Sequence, residues 1–312
     1  GTVPSAAFGS TTPTGDGAFS YQGKESADGI TYTDIPSSNV EIYTETAALT
    51  ADKWYKRAVT STLNGNTCTE ETNFIKVTVI NFTPGSIGSD QTICEATSPA
   101  AFTSVAASGD GSFVYSWESS PDGNAPWTAL GVSTPGYGSG PLSSDTYFRR
   151  AVTSTLLGQS CTEYSNTVLV TVNSFDPGTI GSAQVICENT APAAFTSTLS
   201  PSGAGTFTYQ WQNSTDGTNF SSISGATSET YASASLNVDT WFRRQVTSTL
   251  NGKACIEVTP SILVQVNNIT PGTIGAAQTI CEGATPAPLT ETGAPTLDGA
   301  ISYQWQKSSD GS

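Results

Sequence analysis

The sequence predicts an all-β chain: tandem β-sandwich modules of about 93 residues, strung as an extended rod. Three observations carry this prediction. First, one segment recurs in register. Arg57-Ala-Val-Thr-Ser-Thr-Leu-Asn-Gly leads to Cys68, Arg150-Ala-Val-Thr-Ser-Thr-Leu-Leu-Gly to Cys161, and Arg244-Gln-Val-Thr-Ser-Thr-Leu-Asn-Gly to Cys255, at spacings of 93 and 94 residues. A second register, Pro84-Gly85, Pro177-Gly178 and Pro271-Gly272, keeps the same step, and each pair is followed by Ile-Cys-Glu. Second, large apolar and polar residues alternate over short stretches, the period of a half-buried strand. Third, the chain is rich in Thr, Ser and Gly, and no stretch carries a useful helical period.

The repeat sets the expected domains: 1–81, 82–174, 175–268 and 269–312. Gly1 aligns with Glu95 and Ser312 with Thr218, so the first copy lacks its first strand and the fourth is only a beginning. The natural protein is expected to run on at both ends.

The second copy displays the elements in order. Ser86–Cys94 is a first strand after the Pro-Gly turn, and Ala100–Val105 a second. After Asp110-Gly111 come Phe113, Tyr115 and Trp117, alternating with Val114, Ser116 and Glu118. Copies three and four repeat this with Trp211 and Trp305, and all three tryptophans are assigned to the core. Gly23 stands where copy one should have a Trp, so that copy must fill the space differently. Asp122-Gly123, Asp216-Gly217 and Asp310-Gly311 read as turns. No cofactor is expected; Ca²⁺ is the one ion the Asp-Gly pairs suggest, but no Asp-x-Asp-x-Asp-Gly loop with a trailing Glu occurs.

In the recurring segment itself, Tyr55, Phe148 and Phe242, with Val59, Val152 and Val246, mark the inward face. Ala58, Ala151 and Gln245 are expected to face solvent. Arg57, Arg150 and Arg244 fall on the inward parity, so each needs a carboxylate, a carbonyl or the module edge. Asn64-Gly65, Leu157-Gly158 and Asn251-Gly252 are hairpin signals, and Val168, Val170 and Val172 alternate along a last strand. About seven short, evenly punctuated strands per copy indicate an immunoglobulin-like sandwich. The links are short and contain Pro, with Phe82, Phe175 and Ile269 available to pack between copies.

Six cysteines lie at 68, 94, 161, 187, 255 and 281, without a Cys-x-x-Cys and without any His. Widely spaced pairs read as structural disulfides in an oxidising compartment. Two connectivities fit. The preferred one lies within a copy, Cys94–Cys161 and Cys187–Cys255, with Cys68 and Cys281 paired to residues outside the sequence. It supposes first and last strands side by side, with a Cys ending the first meeting a Cys that begins the last. The other joins Cys68–Cys94, Cys161–Cys187 and Cys255–Cys281 across the boundaries.

A net charge of −15 argues against nucleic acid and anionic membrane surfaces as partners, and no apolar run spans a bilayer. A chain without His excludes Ser-His-Asp and Cys-His catalysis, and no enzyme is expected. A carbohydrate-binding array would need exposed aromatics on a shared face. Trp54, Tyr147 and Trp241 have the parity for it; Trp127 has no Trp counterpart, only Phe220 nearby.

Pro-Gly-Thr-Ile-Gly with Gln-x-Ile-Cys-Glu, then Tyr209-Gln-Trp-Gln, then Asp239-Thr-Trp-Phe-Arg-Arg-Gln-Val-Thr-Ser-Thr and Asn-Gly…Cys together resemble the tandem repeats of giant surface adhesins of gliding Bacteroidota. The resemblance covers the whole sequence. It implies secretion by the type IX system, an extracellular filament attached to the outer membrane, contact with the gliding and secretion machinery there, and adhesion to a substratum; polysaccharide is the partner under the alternative reading as a binding array.

Overall fold

The computed structural model describes residues 10–309, and no helix occurs among them. Asp310 and Gly311 lie outside the described residues. Thirteen strands of four or more residues form the framework. Copy one supplies β1 (Ala18–Ser26), β2 (Lys53–Leu63) and β3 (Asn66–Glu71). Copy two supplies β4 (Gln91–Cys94), β5 (Ser112–Ser120), β6 (Thr146–Leu156), β7 (Gln159–Tyr164) and β8 (Val168–Asn173). Copy three repeats them as β9 (Gln184–Cys187), β10 (Thr206–Ser214), β11 (Thr240–Leu250), β12 (Lys253–Val258) and β13 (Ile262–Asn267).

The chain forms two compact units. One comprises residues up to Ser89 with Ala101–Tyr137 and Tyr147–Val168. Here β1 pairs β2, β2 pairs β3, and the same arrangement recurs as β5 on β6 and β6 on β7. Trp117 is fully buried, stacked on Phe102 and next to Tyr137, and its indole N–H donates to Thr134 O at 2.9 Å. That bond removes the cost of an orphaned buried donor.

Copy one builds its core without the indole. A Cβ added at Gly23 would lie 2.7 Å from Ser38 Oγ, although the turn keeps the backbone bond of the other copies, Gly23 N to Ser38 O at 3.1 Å matching Trp117 N to Val132 O at 3.2 Å and Trp211 N to Ala226 O at 2.9 Å. Ser38 Oγ accepts from Gly23 N at 3.0 Å and donates to Ile35 O at 2.7 Å. Tyr55, buried where the other copies have Phe, gives its hydroxyl proton to Glu45 Oε2 at 2.7 Å. Burial, reinforced by that carboxylate, pushes the phenol far above its ordinary range.

The second unit comprises Asp90–Ala100, Gly138–Thr146 and the chain from Leu169 onward. It contains copy three whole, with the sheet order β9-β13-β11-β10 and β12 also paired to β11. Its core is Ile180, Phe195, Trp211, Phe242 and Val264. Asn251 (φ 49°) and Gly252 (φ 79°) turn β11 into β12, both in the left-handed conformation that Asn-Gly tolerates. β9 runs parallel to β13, with Cys187 opposite Asn267; β4 and β8 show the same pairing, with Cys94 opposite Asn173.

Three expectations need correction. Trp305, expected in the core, is 58% exposed, and among the described residues copy four has only the short strands Glu291–Gly293 and Thr296–Leu297, neither of them a counterpart of β11. Ala58 and Ala151 were placed in solvent but are buried. Ala151 lies opposite Tyr164 on β7 and Ala58 opposite Glu71 on β3, so long neighbours roof over a short side chain.

The third correction concerns the disulfides. The bridge that forms is Cys94–Cys255, with Cα atoms 5.5 Å apart and 161 residues between them in sequence. Cys68, Cys161, Cys187 and Cys281 are free and exposed. Neither expected connectivity is present. First and last strands do run side by side, but in parallel, which sets Cys187 beside the end of the last strand and not its start. By register, Asn267 falls level with position 237 of the chain, whereas Cys255 lies opposite Ser248. About eleven strand residues at ~3.3 Å each, roughly 36 Å, separate the two cysteines of one copy. A bridge requires Cα atoms within about 7 Å.

Candidate interaction site at the repeat junction

The inward arginines are the first candidates, and they are structural clamps. Arg244 is fully buried; its Nη1 donates to Ser197 Oγ at 2.7 Å and Glu229 O at 2.8 Å, its Nη2 to Pro177 O at 3.4 Å, and the guanidinium lies 4.8 Å from the centre of the Tyr209 ring. Arg150 does the same with Ser104, Pro135 O, Pro84 O and Val105 O, over Tyr115. Burial pulls both guanidinium groups below their ordinary value, yet an arginine stays charged. The expected carbonyl partners are therefore the ones used. They tie the Pro-Gly turn to the sheet, and the N–H groups so engaged are not presented to an anion in solution.

Trp54, Tyr147 and Trp241 are half-buried. Each ring lies on the glycine of an Asp-Gly turn: a Cβ at Gly29, Gly123 or Gly217 would come within 3.0, 3.1 and 3.2 Å of them. They are lids on turns, and Trp54 also carries Lys76 over its face. Trp127 stacks on Arg149 at 4.2 Å, as Phe220 does on Arg243 at 4.0 Å. Arg149 is further held by Glu118 at 2.7 Å and by the Tyr164 ring. Trp54, Tyr147 and Trp241 thus each pack on a turn glycine and stay half-exposed.

The turn aspartates act as local acceptors. Asp216 Oδ1 receives Thr218 N at 2.8 Å, Asn219 N at 2.7 Å and Ser214 Oγ at 2.7 Å. Asp28 receives the N–H groups of Ile30 and Thr31 and the Ser26 hydroxyl. The backbone donors, Ile30 first, hold Asp28 down to about 2, and Asn219 and its neighbours hold Asp216 lower still.

Within the second unit, the end of copy two meets the hairpin of copy three, and here the geometry departs from anything local. β4 lies against β12, and the Cys94–Cys255 bridge joins them. Asn173, level with Cys94 and 1% exposed, donates from Nδ2 to Ser248 O at 3.0 Å and Lys253 O at 3.3 Å. Ser248 Oγ lies 2.9 Å from Asn173 Oδ1 and 2.7 Å from Ala204 O. At the hairpin tip, Asn251 Nδ2 donates to Thr92 Oγ1 at 3.2 Å. Phe175 packs on Phe207 of its own copy, ring centres 5.8 Å apart, as Phe82 does on Phe113, and not between copies; Ile269 is 56% exposed. The junction is a latch: a hairpin seated on a strand edge, registered by a buried Asn and closed by a covalent bond. Asn173 belongs to none of the motifs that the sequence singles out as sites. Its recurrence as Asn267, four residues before Pro271 as Asn173 stands before Pro177, was the available signal.

No curated protein matches this sequence. Among solved structures, the three N-terminal domains of the bacteriophage RB49 Highly Immunogenic Outer Capsid protein are 10% identical, with 83% of this chain and 91% of that one aligned at a TM-score of 0.38. A multi-domain fragment of titin is 10% identical over 78% and 86%, at 0.35. Domains FN1–FN3 of chicken CNTN1 are 14% identical over 80% and 89%, at 0.26. A family described as a domain of unknown function, DUF8696, matches residues 1–81, 83–174, 176–268 and 270–312. The chain is a tandem array of all-β repeats, and it belongs to the DUF8696 family four times in succession.

Proposed function

We propose that this chain is a structural and adhesive repeat region of a large secreted surface protein, a filament of the kind that gliding Bacteroidota extend from the outer membrane to grip a substratum. One observation carries the reading: the Cys94–Cys255 bridge crosses a repeat boundary. Such a bond persists in an oxidising compartment and transmits load between domains without relying on side-chain packing. The repeat motifs supply the finer part, the resemblance to gliding adhesins. A passive spacer would need tandem domains but no covalent joint between them. Among the described residues no helix is long and apolar enough to cross a membrane.

The test is made on intact cells of the producing organism. Thiols are blocked with a membrane-impermeant alkylating reagent, bonds are reduced, and the newly exposed thiols are tagged. Tagging of Cys94 and Cys255 without permeabilisation is the expected result. Cys94 and Cys255 blocked at the first step, or reached only after lysis, would overturn the surface assignment.

A further inference from the structure

Copy three carries the counterpart of the copy-two socket, and among the described residues no hairpin packs on it. In copy two, Cys94, Asn173 and Thr92 receive the hairpin of copy three, and Asn173 is buried by it. In copy three the equivalent Cys187 and Asn267 are exposed, and Val185, in the place of Thr92, is 70% exposed. Cys187, Asn267 and Glu188 border an open cavity of about 260 Å³ whose far side is Leu297 and Gly299 of copy four. Conversely, the Leu157-Gly158 hairpin of copy two presents Cys161, and the Asn64-Gly65 hairpin of copy one presents Cys68; both thiols are exposed.

We propose that the latch is a rule of the array: the first-strand cysteine of each copy takes the hairpin cysteine of the copy that follows it. Cys187 is then a docking and modification site whose occupant is the cysteine-bearing hairpin of a complete next copy, of the form Asn251-Gly-Lys-Ala-Cys255. Cys161 and Cys68 are the complementary halves, for first-strand cysteines of copies before their own. Three features argue for this occupant over an unrelated protein. The filled socket of copy two shows the fit. The parallel β9–β13 pairing brings Cys187 level with Asn267 as β4–β8 brings Cys94 level with Asn173. The separation of about 36 Å within a copy, derived above from ~3.3 Å per strand residue, leaves each cysteine able to reach only a neighbour.

The chemistry is thiol–disulfide exchange. The Cys187 thiolate attacks a small-molecule disulfide, releasing one thiol. The hairpin thiolate then attacks the mixed disulfide at Cys187 sulfur and releases the second. Two protein thiols are oxidised, one external disulfide is reduced to two thiols, and both protons pass to those products. The inference rests on the junction geometry and not on where the protein resides, so it stands or falls separately from the surface assignment.

The test uses the full chain with residues 175–268 present twice in succession, oxidised with glutathione disulfide and mapped by mass spectrometry of unreduced peptides. The expected result is Cys94 joined to the first Cys255, Cys187 joined to the second, and loss of Cys187 alkylation relative to the unduplicated chain. Cys187 still open to alkylation while Cys94–Cys255 forms would overturn the rule. So would a Cys161–Cys187 bond between two chains, which would make the socket a site for a second copy. Absence of both bridges would remove the latch itself. An Asn267→Ala variant of the duplicated chain should form the Cys187 bond more slowly, and an unchanged rate would take Asn267 out of the socket.

Discussion

Copies one and three share a strand plan but differ in how their cores are made, and the difference separates framework from filling. Copy three closes on Trp211, stacked on Phe195 and bonded to Ser228 O, and its hairpin is bridged at Cys255. Copy one has Gly23 at that level, fills the space with Ser38 and the Tyr55–Glu45 pair, and leaves Cys68 free. It also keeps a cavity of about 280 Å³ lined in part by Ile35, Val40, Tyr43 and Arg57. The β1–β2 and β10–β11 registers are nonetheless the same, Gly23 opposite Arg57 and Trp211 opposite Arg244. Backbone pairing and turns therefore specify the sheet, and the large aromatic is one of several ways to fill it.

The largest expected effect is on the bridge. Reduction, or Cys94→Ser, removes the constraint on a 161-residue separation. The chain-entropy model puts this at about 5 kcal/mol. In single-molecule extension of the full chain, reduction should lengthen the fully unfolded contour by roughly 550 Å, at ~3.4 Å per freed residue. An unchanged contour would mean that the bond is not made. Copy one, without a bridge here, should unfold with the same steps in either redox state.

Next comes the core. Trp211→Ala should destabilise copy three by about 3–5 kcal/mol in denaturant melts. The reverse change, Gly23→Trp, should also destabilise copy one, because Ser38 occupies the space an indole needs. If Gly23→Trp raised stability instead, copy one would have to be read as a damaged version of copy three and not as an alternative packing.

The clamps should grade the same way. Arg244→Ala strands buried carbonyls and should cost about 2–3 kcal/mol. Arg57→Ala should cost less, since Arg57 is only half-buried and its contacts reach Ser10, Thr11 and Glu41 near the surface. Equal losses on chemical denaturation would contradict the burial argument.

The smallest effect is that of acid. Asp28 and Asp216 have depressed values in the folded chain, so their contribution is complete above the unfolded value, about 3.9. It fades as pH falls toward about 2 for Asp28, and lower for Asp216. Carboxylate titration by NMR should show Asp216 protonating after Asp28 as pH falls, and the opposite order would remove its extra donor, Asn219 Nδ2 to Asp216 Oδ2 at 2.7 Å, as the cause.

Much of a single copy was legible beforehand, because its signals are local. Alternation of Phe207, Tyr209 and Trp211 put one face of β10 inward, and burial of Trp211 follows from period two alone. Asn251-Gly252 specified a hairpin through its backbone conformations, and the parity of Arg150 and Arg244 demanded buried acceptors, which carbonyls supply. The burial of Ala151 was not legible, since it depends on Tyr164 across the strand pair. Nor were the lids formed by Trp54, Tyr147 and Trp241, which require a turn glycine to come under the ring.

What the sequence by itself determined is therefore the repeat, the strands, the turns and the inward set of each copy. Each is set by interactions within a few residues or across one hairpin. Only the tertiary structure decided which cysteines meet. Side-by-side first and last strands made Cys94 and Cys161 look like a pair, but adjacency in itself carries no information on whether the two strands run parallel, and so on which end of the sheet each residue reaches. Parallel pairing of first and last strands sends the two cysteines of a copy to opposite ends, and the hairpin of the following copy brings Cys255 to Cys94. A covalent bond forms where two ends come within bonding distance, and that distance is a property of the packed array.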